Sequence, residues 1–197
     1  MGSTGIRDAQ DSDSSIMAEL IYSTENEPEQ IWGGKSKEEN LNIIKDLIRN
    51  HNSRYSSSYS KIAEHNGEVV GVLVTIPYNE LEYNNIKTDL AILKNLRGFK
   101  RKVGFLLNEL KFSVIKECNK GDLYIANIAV DNKARGLGIG KILMEEAELL
   151  AKENNYSRCT LLAKDEYVAK FYRKINYRLV YDRNIFGNRI IKMAKVL

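Results

Sequence analysis

Cysteine and histidine are both rare in this chain of 197 residues, which has two of each. The cysteines Cys118 and Cys159 and the histidines His51 and His65 show no spacing typical of a metal site, so we expect no structural zinc. Long apolar runs are also missing, since none reaches the roughly 18 residues that a membrane-spanning helix needs. We likewise expect no secretory leader. These absences favour a cytoplasmic protein that binds neither metal nor membrane.

The composition is that of an ordinary globular protein, with 43% hydrophobic and 28% charged residues. The length suits a single domain over residues 1–197, in which the small and polar residues 1–5 are candidates for disorder. The net charge of +4 is modest and spread along the chain. It is therefore compatible with an anionic cofactor and does not indicate nucleic acid as a partner.

One stretch, residues 122–150, contains a junction that folding alone does not explain. An apolar strand is followed by a polar turn, three glycines at alternate positions and an amphipathic helix beginning near Ile139. Glycine loses more backbone entropy than any other residue, so three of them here indicate a function. The first amides of a helix lack internal acceptors, and the helix dipole adds roughly half a positive charge there. With Arg135 and Lys141 nearby, the junction predicts a phosphate or pyrophosphate site.

Two common phosphate loops do not fit this stretch. A Walker A loop requires Ser or Thr after Gly-Lys, whereas Gly140-Lys141 precedes Ile142. The Rossmann pattern G-x-G-x-x-G would need its last glycine at Lys141 or at Leu143. What remains is the pattern R-G-x-G-x-G-x-x-L, preceded by a strand that ends at Val130.

This pattern resembles the acyl-CoA-binding motif of the GNAT superfamily of N-acetyltransferases. The resemblance implies that the pyrophosphate of coenzyme A is bound by Arg135, Gly136, Leu137, Gly138, Ile139, Gly140 and Lys141. It also implies that the preceding strand bulges and splays from the strand at residues 158–163. The pantetheine arm would lie in the resulting gap, against the backbone of Ile128, Ala129 and Val130. Acetyl-CoA is accordingly the expected acyl donor, with no metal.

A second motif, A-K-F-Y-R-K-I-N-Y at residues 169–177, resembles the A-x-x-F-Y-x-x-x-G-F element of the same family. The family's tyrosine lies near the thioester sulfur, so the resemblance makes Tyr172 the general acid and a cofactor contact. A phenol with a pKa of about 10 stays protonated at neutral pH. Simple packing of Phe171 and Tyr172 is the alternative. Two positions differ from the family: Asn176 replaces a glycine, and Glu166 replaces an asparagine, which leaves its contact with the cofactor open.

The sequence does not identify the general base. Some family members carry a glutamate at the position of Tyr124. Tyr124 or Asn127 is therefore predicted to hold a water that relays the amine proton, although Asn127 could equally be a core amide. Asp122, Glu27 and Glu29 are candidates for a more direct base.

The predicted elements run in the order strand, two helices, hairpin, inserted helices, central strand, helix, strand, helix and two strands. The hairpin is predicted from Asn66-Gly67 between two β-prone runs, and the inserted helical segment covers residues 86–118. Together with the resemblance, this order predicts a single α/β, GNAT-like domain. Its mixed, mostly antiparallel sheet would have about six or seven strands, flanked by helices and splayed at the centre.

The expected function is transfer of an acetyl group from acetyl-CoA to a primary amine of a small molecule or peptide, by direct attack in a ternary complex. In the resembled family the link between the first two helices often borders the acceptor site. This makes Tyr22, Glu27, Glu29 and Trp32 candidates for contacting the acceptor. A non-catalytic acyl-CoA-binding or regulatory module of the same fold is the alternative. The sequence names no acceptor, and a homodimer stays open.

Overall fold

The structure, a computed structural model, describes residues 2–25, 28–112 and 115–197. The strands are β1 (Thr4–Asp8), β2 (Ser60–His65), β3 (Glu68–Pro77), β4 (Asp122–Val130), β5 (Arg158–Ala163), β6 (Arg178–Ile185) and β7 (Asn188–Val196). The helices are α1 (Ser14–Tyr22), α2 (Pro28–Trp32), α3 (Lys37–Arg49), α4 (Tyr78–Asn95), α5 (Phe99–Phe112), α6 (Ile139–Glu153) and α7 (Glu166–Lys174). The strands form one seven-stranded sheet in the order β1-β2-β3-β4-β5-β7-β6.

The hydrophobic core lies on both faces of this sheet. Side chains alternate along β3, so Leu73 packs with α6 and α7 while Val72 and Val74 pack with α1 and α3. All strand pairs are antiparallel except β4 with β5. The predicted α/β class and the mixed, mostly antiparallel sheet are confirmed.

The two parallel strands at the centre part halfway along their length. β4 pairs with β5 only as far as Ile125 and Leu161, whereas its other edge stays paired with β3 up to Val130. Ala126 is an extra residue in the ladder between β3 and β4, which makes a β-bulge. The predicted splay is confirmed, and it opens the sheet beyond Ile125.

The bulge changes which side chains of β4 share a face. Before it, Leu123 and Ile125 belong to the cluster under α6; after it, Ile128 and Val130 do. The alternation therefore changes from odd to even positions at Ala126. As a result the side chains of residues 124 and 127, three positions apart, lie on the same face of β4.

Helix ends near the centre of the molecule differ in how they are capped. The Asp165 carboxylate accepts a hydrogen bond from the Val168 N–H at 2.7 Å and so caps the start of α7. The start of α6 has no such side chain, because its N-cap is Gly138 in the left-handed region with φ of +79°. The first turn of α6 is therefore left with free backbone donors.

Some local elements differ from the sequence-based prediction. The hairpin is present, with Asn66 and Gly67 at positive φ of +54° and +83°. The link after α1 contains the additional short helix α2, which begins at Pro28, a residue favoured at the first helical position. The inserted helices begin at Tyr78 rather than near residue 86, in a polar turn with no apolar stripe. The end of that predicted segment includes residues 113–114, which lie outside the described residues.

Membrane-spanning helices and metal-binding clusters are both absent from residues 2–25, 28–112 and 115–197. No helix there combines the length and the apolarity needed to cross a lipid bilayer. In the same ranges, no three His, Cys, Asp or Glu side chains come together in a way that could hold a metal ion.

Candidate active site

A cleft of about 2130 Å³ opens where β4 and β5 part. Its walls come from these two strands, from the first turn of α6, from α7 and from the inserted helices α4 and α5. Every residue predicted to bind the cofactor lines this cleft except Leu137, which is 52% exposed, and Tyr124 and Asn127 line it as well. Segments from distant parts of the sequence are thus brought together in one place.

The loop before α6 carries backbone donors that the protein does not use. The N–H groups of Gly136, Gly138, Ile139 and Gly140 have no acceptor among the described residues, whereas the Leu137 N–H donates to the Ala134 carbonyl at 3.4 Å. The dipole of α6 adds positive potential at the same point. Four free donors at a helix N-terminus are suited to an anion.

Glycine is required in this loop for conformation and for access. Gly136 and Gly138 have φ of +85° and +79°, where a side chain is strained. A Cβ at either position would meet no protein atom within 4 Å, and one at Gly140 would make an ordinary 3.5 Å contact with Phe171. Packing within the protein therefore leaves the space over the loop open, and a pyrophosphate such as that of coenzyme A fits the donors that face it.

The outer half of β4 offers a free backbone edge to the cleft. The Asp131 N–H donates to the Val70 carbonyl of β3 at 2.8 Å. Because hydrogen-bonded positions alternate along an antiparallel strand, Val130 and Ile128 direct their backbone groups away from β3. β5 has diverged at this level, so an extended ligand with amide groups can pair here as a strand would.

Tyr172 lines the cleft while most of its ring lies in the core, with 4% of the residue exposed. The ring packs against Phe171 and Tyr177 at centroid distances of 5.3 and 5.9 Å. Its hydroxyl makes no hydrogen bond to any residue that the structure describes. Burial raises the pKa of Tyr172 above its ordinary value, so the phenol keeps its proton at neutral pH. Packing and proton donation are therefore compatible roles.

Tyr124 belongs to a buried ionic network. Its hydroxyl and Arg54 Nη2 both donate to Glu117 Oε1 at 2.9 Å, and Asn85 Nδ2 donates to Glu117 Oε2 at 3.0 Å. Burial alone would raise the pKa of Glu117, but the charge of Arg54 and these hydrogen bonds hold it below its ordinary value. Glu117 stays ionised and fixes the Tyr124 hydroxyl. The Tyr124 oxygen can still accept a hydrogen bond from a water.

Asn127 combines the two roles that its sequence position left open. It is 8% exposed, and its Nδ2 donates to Thr24 Oγ1 at 3.0 Å, as a core amide would. Its Oδ1, in contrast, is buried without a donor among the described residues. Buried acceptors are rarely left unpaired, so this oxygen is suited to a water or a ligand.

None of the five described carboxylates that line the cleft was predicted from the sequence, and three of them have a raised pKa. Glu25 follows α1, Asp89 lies on α4 and Glu109 lies on α5. Burial raises the pKa of Asp89 to about 6. Burial, with a further contribution from Asp89, raises the pKa of Glu109 to about 7, and burial also raises the pKa of Glu25. No sequence spacing connects these residues, so only the folded chain reveals them.

The predicted direct bases lie in other places. Asp122 is fully buried away from the cleft, and its carboxylate is ion-paired with an arginine of β5 at 2.8 Å. Glu29 accepts a hydrogen bond from the Tyr22 hydroxyl at 3.3 Å, and neither residue lines the cleft. Glu27 lies outside the described residues. Trp32 does line the cleft, and its side chain is fully buried.

Glu166, the second departure from the family motif, is held by two arginines. Arg173 Nη1 lies 2.5 Å and Arg189 Nη2 3.3 Å from its carboxylate oxygens. The hydrogen bond from Arg173 lowers the pKa of Glu166. The carboxylate is not among the residues that line the cleft, whereas both arginines are.

Comparison with known proteins gives a family and a shared fold. The sequence profile of the Acetyltransferase (GNAT) family matches residues 18–177. A solved structure described as an acetyltransferase is 22% identical, with a TM-score of 0.74 and 98% of each chain covered. An N-acetyltransferase from Staphylococcus aureus Mu50 is 20% identical, with a TM-score of 0.70 over 97% of this chain and 100% of that one. An agmatine N-acetyltransferase variant is 15% identical, with a TM-score of 0.61 over 98% of this chain and 99% of that one. No match was found among curated proteins.

Proposed function

Because the chain belongs to the acetyltransferase (GNAT) family, we propose that it transfers an acetyl group from acetyl-CoA to a primary amine of a small molecule or peptide. One observation carries this proposal. The free donors of residues 136–140, the open edge of β4 and the unpaired hydroxyl of Tyr172 all face the same cleft. The fold alone would not supply that combination.

Acetyl-CoA, when bound, supplies a thioester carbonyl that an amine can attack directly. The free N–H groups of residues 136–140 bind its pyrophosphate, and Arg135 and Lys141 add charge at the rim. The backbone of Ile128 and Val130, with Ala129 between them, orients the pantetheine arm. The Val130 N–H also stabilises charge that develops on the carbonyl oxygen. Positioning of this kind makes direct transfer in a ternary complex efficient.

Tyr172 acts in this proposal as the general acid. Its hydroxyl gives a proton to the departing sulfur, which prevents the release of an unstabilised thiolate. The raised pKa ensures that the proton is present, and it favours the neutral phenol over the phenolate after each transfer. No cysteine nucleophile is needed.

The amine proton leaves through a water held by Asn127 Oδ1 and the Tyr124 hydroxyl oxygen. Glu25 is linked to this position, since its Oε1 lies 3.4 Å from Thr24 Oγ1, which accepts from Asn127 Nδ2 at 3.0 Å. A carboxylate whose pKa is raised by burial is a better proton acceptor than an exposed one. Glu25 is therefore our candidate for the group that takes the proton from the water.

Thiol release from acetyl-CoA tests this function. The protein is incubated with acetyl-CoA and a panel of primary amines, free thiol is followed over time, and CoA binding is measured by calorimetry. We expect thiol release that depends on the amine, above the background without acceptor. Tight CoA binding with no thiol release for any amine would contradict the proposal and identify a non-catalytic acyl-CoA-binding module.

A further inference from the structure

Two carboxylates in the cleft wall have no partner of opposite charge. Asp89 of α4 and Glu109 of α5 are partly buried, and neither forms a hydrogen bond or an ion pair with any described residue. The nearby cation, Arg54, is already engaged by Glu117 at 2.9 Å. Two neighbouring carboxylates that are partly removed from water are unfavourable without a counter-ion. A cation from outside the chain would relieve both the repulsion and the loss of hydration.

Neutral acceptors in the same cleft are also left without donors. Asn127 is 8% exposed and its Oδ1 is unpartnered among the described residues. Asn85 lies one helical turn before Asp89, and its Oδ1 is likewise buried without a donor while its Nδ2 is used by Glu117. Native proteins rarely leave such oxygens unpaired. Both amides therefore point to a ligand that carries N–H groups.

The net charge of the cleft wall up to residue 117 decides which class of ligand it can bind. Two donors, Arg54 Nε and Trp32 Nε1, are unpartnered as well, so neutral hydrogen bonding alone does not settle the choice. Among the described lining residues up to residue 117, the cations are Arg54 and Lys116, and the five carboxylates are those of Glu25, Glu82, Asp89, Glu109 and Glu117. When all five carboxylates are ionised, this wall carries an excess of three negative charges, which favours a cationic ligand.

The amine that is acetylated cannot be the cation that these carboxylates bind. It must be uncharged when it attacks, and a pair of carboxylates would hold it in its charged, unreactive form. Asp89 and Glu109 lie on the inserted helices, whereas Tyr172 and the free backbone edge belong to α7 and β4. The pair is therefore suited to a second group of the acceptor, one that stays charged throughout the reaction.

We propose that the acceptor is an aliphatic diamine or a longer polyamine, whose second ammonium group binds at Asp89 and Glu109 while the first is acetylated. This inference rests on the proposed function and specifies its substrate class. The rings of Tyr55 and Tyr124 line the same part of the cleft and provide apolar surface for a methylene chain. The free oxygen of Asn85 accepts a hydrogen bond from an N–H group of the ligand. Asn127 Oδ1 can accept one from the reacting amine as well as one from the relay water, because an amide oxygen has two lone pairs.

The test compares acceptors that differ only in the second charge. Acetylation of 1,5-diaminopentane, 1-aminopentane and 5-amino-1-pentanol is measured with the wild-type protein. We expect kcat/KM to be about ten-fold or more higher for the diamine, mainly through a lower KM, because only the diamine makes charge-assisted hydrogen bonds with the two carboxylates. Equal use of the three amines would overturn the proposal.

Matched variants assign the effect to the two carboxylates. The double variant Asp89→Asn with Glu109→Gln should lose the preference for the diamine, so that kcat/KM for 1,5-diaminopentane approaches that for 1-aminopentane in the same variant. The control, Glu38→Gln with Asp46→Asn, removes the same charge from exposed positions on α3, outside the cleft, and should keep the preference. A preference that survives in the first variant overturns the proposal. So does a loss of kcat for all amines, which would make these carboxylates general bases.

Failure of the proposed function gives a different result. If no amine releases thiol, binding of 1,5-diaminopentane is measured by calorimetry with CoA present. Binding that is lost in the Asp89→Asn, Glu109→Gln variant and kept in the control supports the diamine site even without catalysis. No detectable binding to the wild-type protein overturns it.

Discussion

In the function proposed above, the two halves of the cleft recognise opposite charges by different means. The cofactor half is formed by β4, the loop at residues 136–140 and α7, and it presents mainly backbone groups and cations. Seven of the nine basic residues that line the cleft lie between residues 135 and 189. The acceptor half is formed by residues 25–117, and it presents side chains, including all five lining carboxylates. An anionic cofactor and a cationic acceptor can therefore be bound side by side without competing for the same site.

The two halves also differ in how easily a substitution can change their binding properties. Backbone N–H groups persist under most substitutions, so recognition by residues 136–140 depends on conformation and on the absence of side chains. The acceptor half depends on individual carboxylates from three separate segments, each of which one substitution can remove. We therefore expect that the glycines of residues 136–140 tolerate few substitutions. Single substitutions in the acceptor half, in contrast, should readily change which amine is preferred.

Blocking the backbone donors should have the largest effect. In Gly138→Val a branched side chain would be placed at φ of +79° and over the free N–H groups. We expect the affinity for CoA, measured by calorimetry, to fall roughly 100-fold or more, because several charge-assisted hydrogen bonds are lost together.

The control for this prediction is Gly187→Val, in the turn between β6 and β7. Gly187 has nearly the same φ, +86°, and an added Cβ there likewise meets nothing within 4 Å. Both variants should lose about 1–2 kcal/mol of stability from backbone strain. If Gly187→Val weakened CoA binding as much as Gly138→Val, the effect would be one of folding rather than of the donors.

Removal of the proposed acid should have the next largest effect, and it should leave both halves of the cleft able to bind. Tyr172→Phe is expected to lower kcat about ten-fold or more while the dissociation constant of CoA stays the same, because only the proton is removed. Tyr177→Phe is the matched control, since this ring is also buried, lies 5.9 Å away and does not line the cleft. Unchanged turnover in Tyr172→Phe would exclude the assignment.

Lowering the pH should weaken only the acceptor half, by a smaller factor. The pKa values of about 7 for Glu109 and about 6 for Asp89 are raised by burial, so both carboxylates lose their charge as the pH falls through this range. Glu117 stays ionised beside Arg54 and should not contribute. Diamine ligands keep their charge, so their dissociation constant should rise roughly five-fold between pH 8 and 5.5.

The control for the pH dependence is the Asp89→Asn, Glu109→Gln variant, in which calorimetry should show a nearly constant dissociation constant. Equal pH dependence in both proteins would assign the titration to another group. Asp89 and Glu109 would then not account for the binding of a cation in the acceptor half.

The cofactor half was predictable because its signals are local. The glycine pattern, the start of a helix at Ile139 and the aromatic pair before residue 177 each lie within about ten residues, and the splay followed from the family resemblance. A mixed sheet of about six or seven strands could be predicted because apolar runs and the Asn66-Gly67 turn indicate single strands, while the family resemblance supplied their arrangement; the structure has seven.

The acceptor half could not be predicted, because its residues have no common pattern in the sequence. Glu25, Asp89 and Glu109 look like ordinary surface charges on three separate segments, and only burial in the folded chain distinguishes them. The short helix α2 and the early start of α4 were missed because neither segment has an apolar periodicity. Likewise, the pairing of Asn127 with Thr24 joins residues 103 positions apart.

The bulge at Ala126 determines which side chains of β4 face the cleft. If Ala126 took a regular place in the ladder with β3, the strand would keep its phase, and every side chain from residue 127 to residue 130 would exchange faces. Asn127 would enter the apolar layer beneath α6, and Ile128 would take its place opposite Thr24. Relatives that keep the same number of residues in this strand but lack the bulge should therefore present a different residue at the position of Asn127, even where the surrounding sequence is the same.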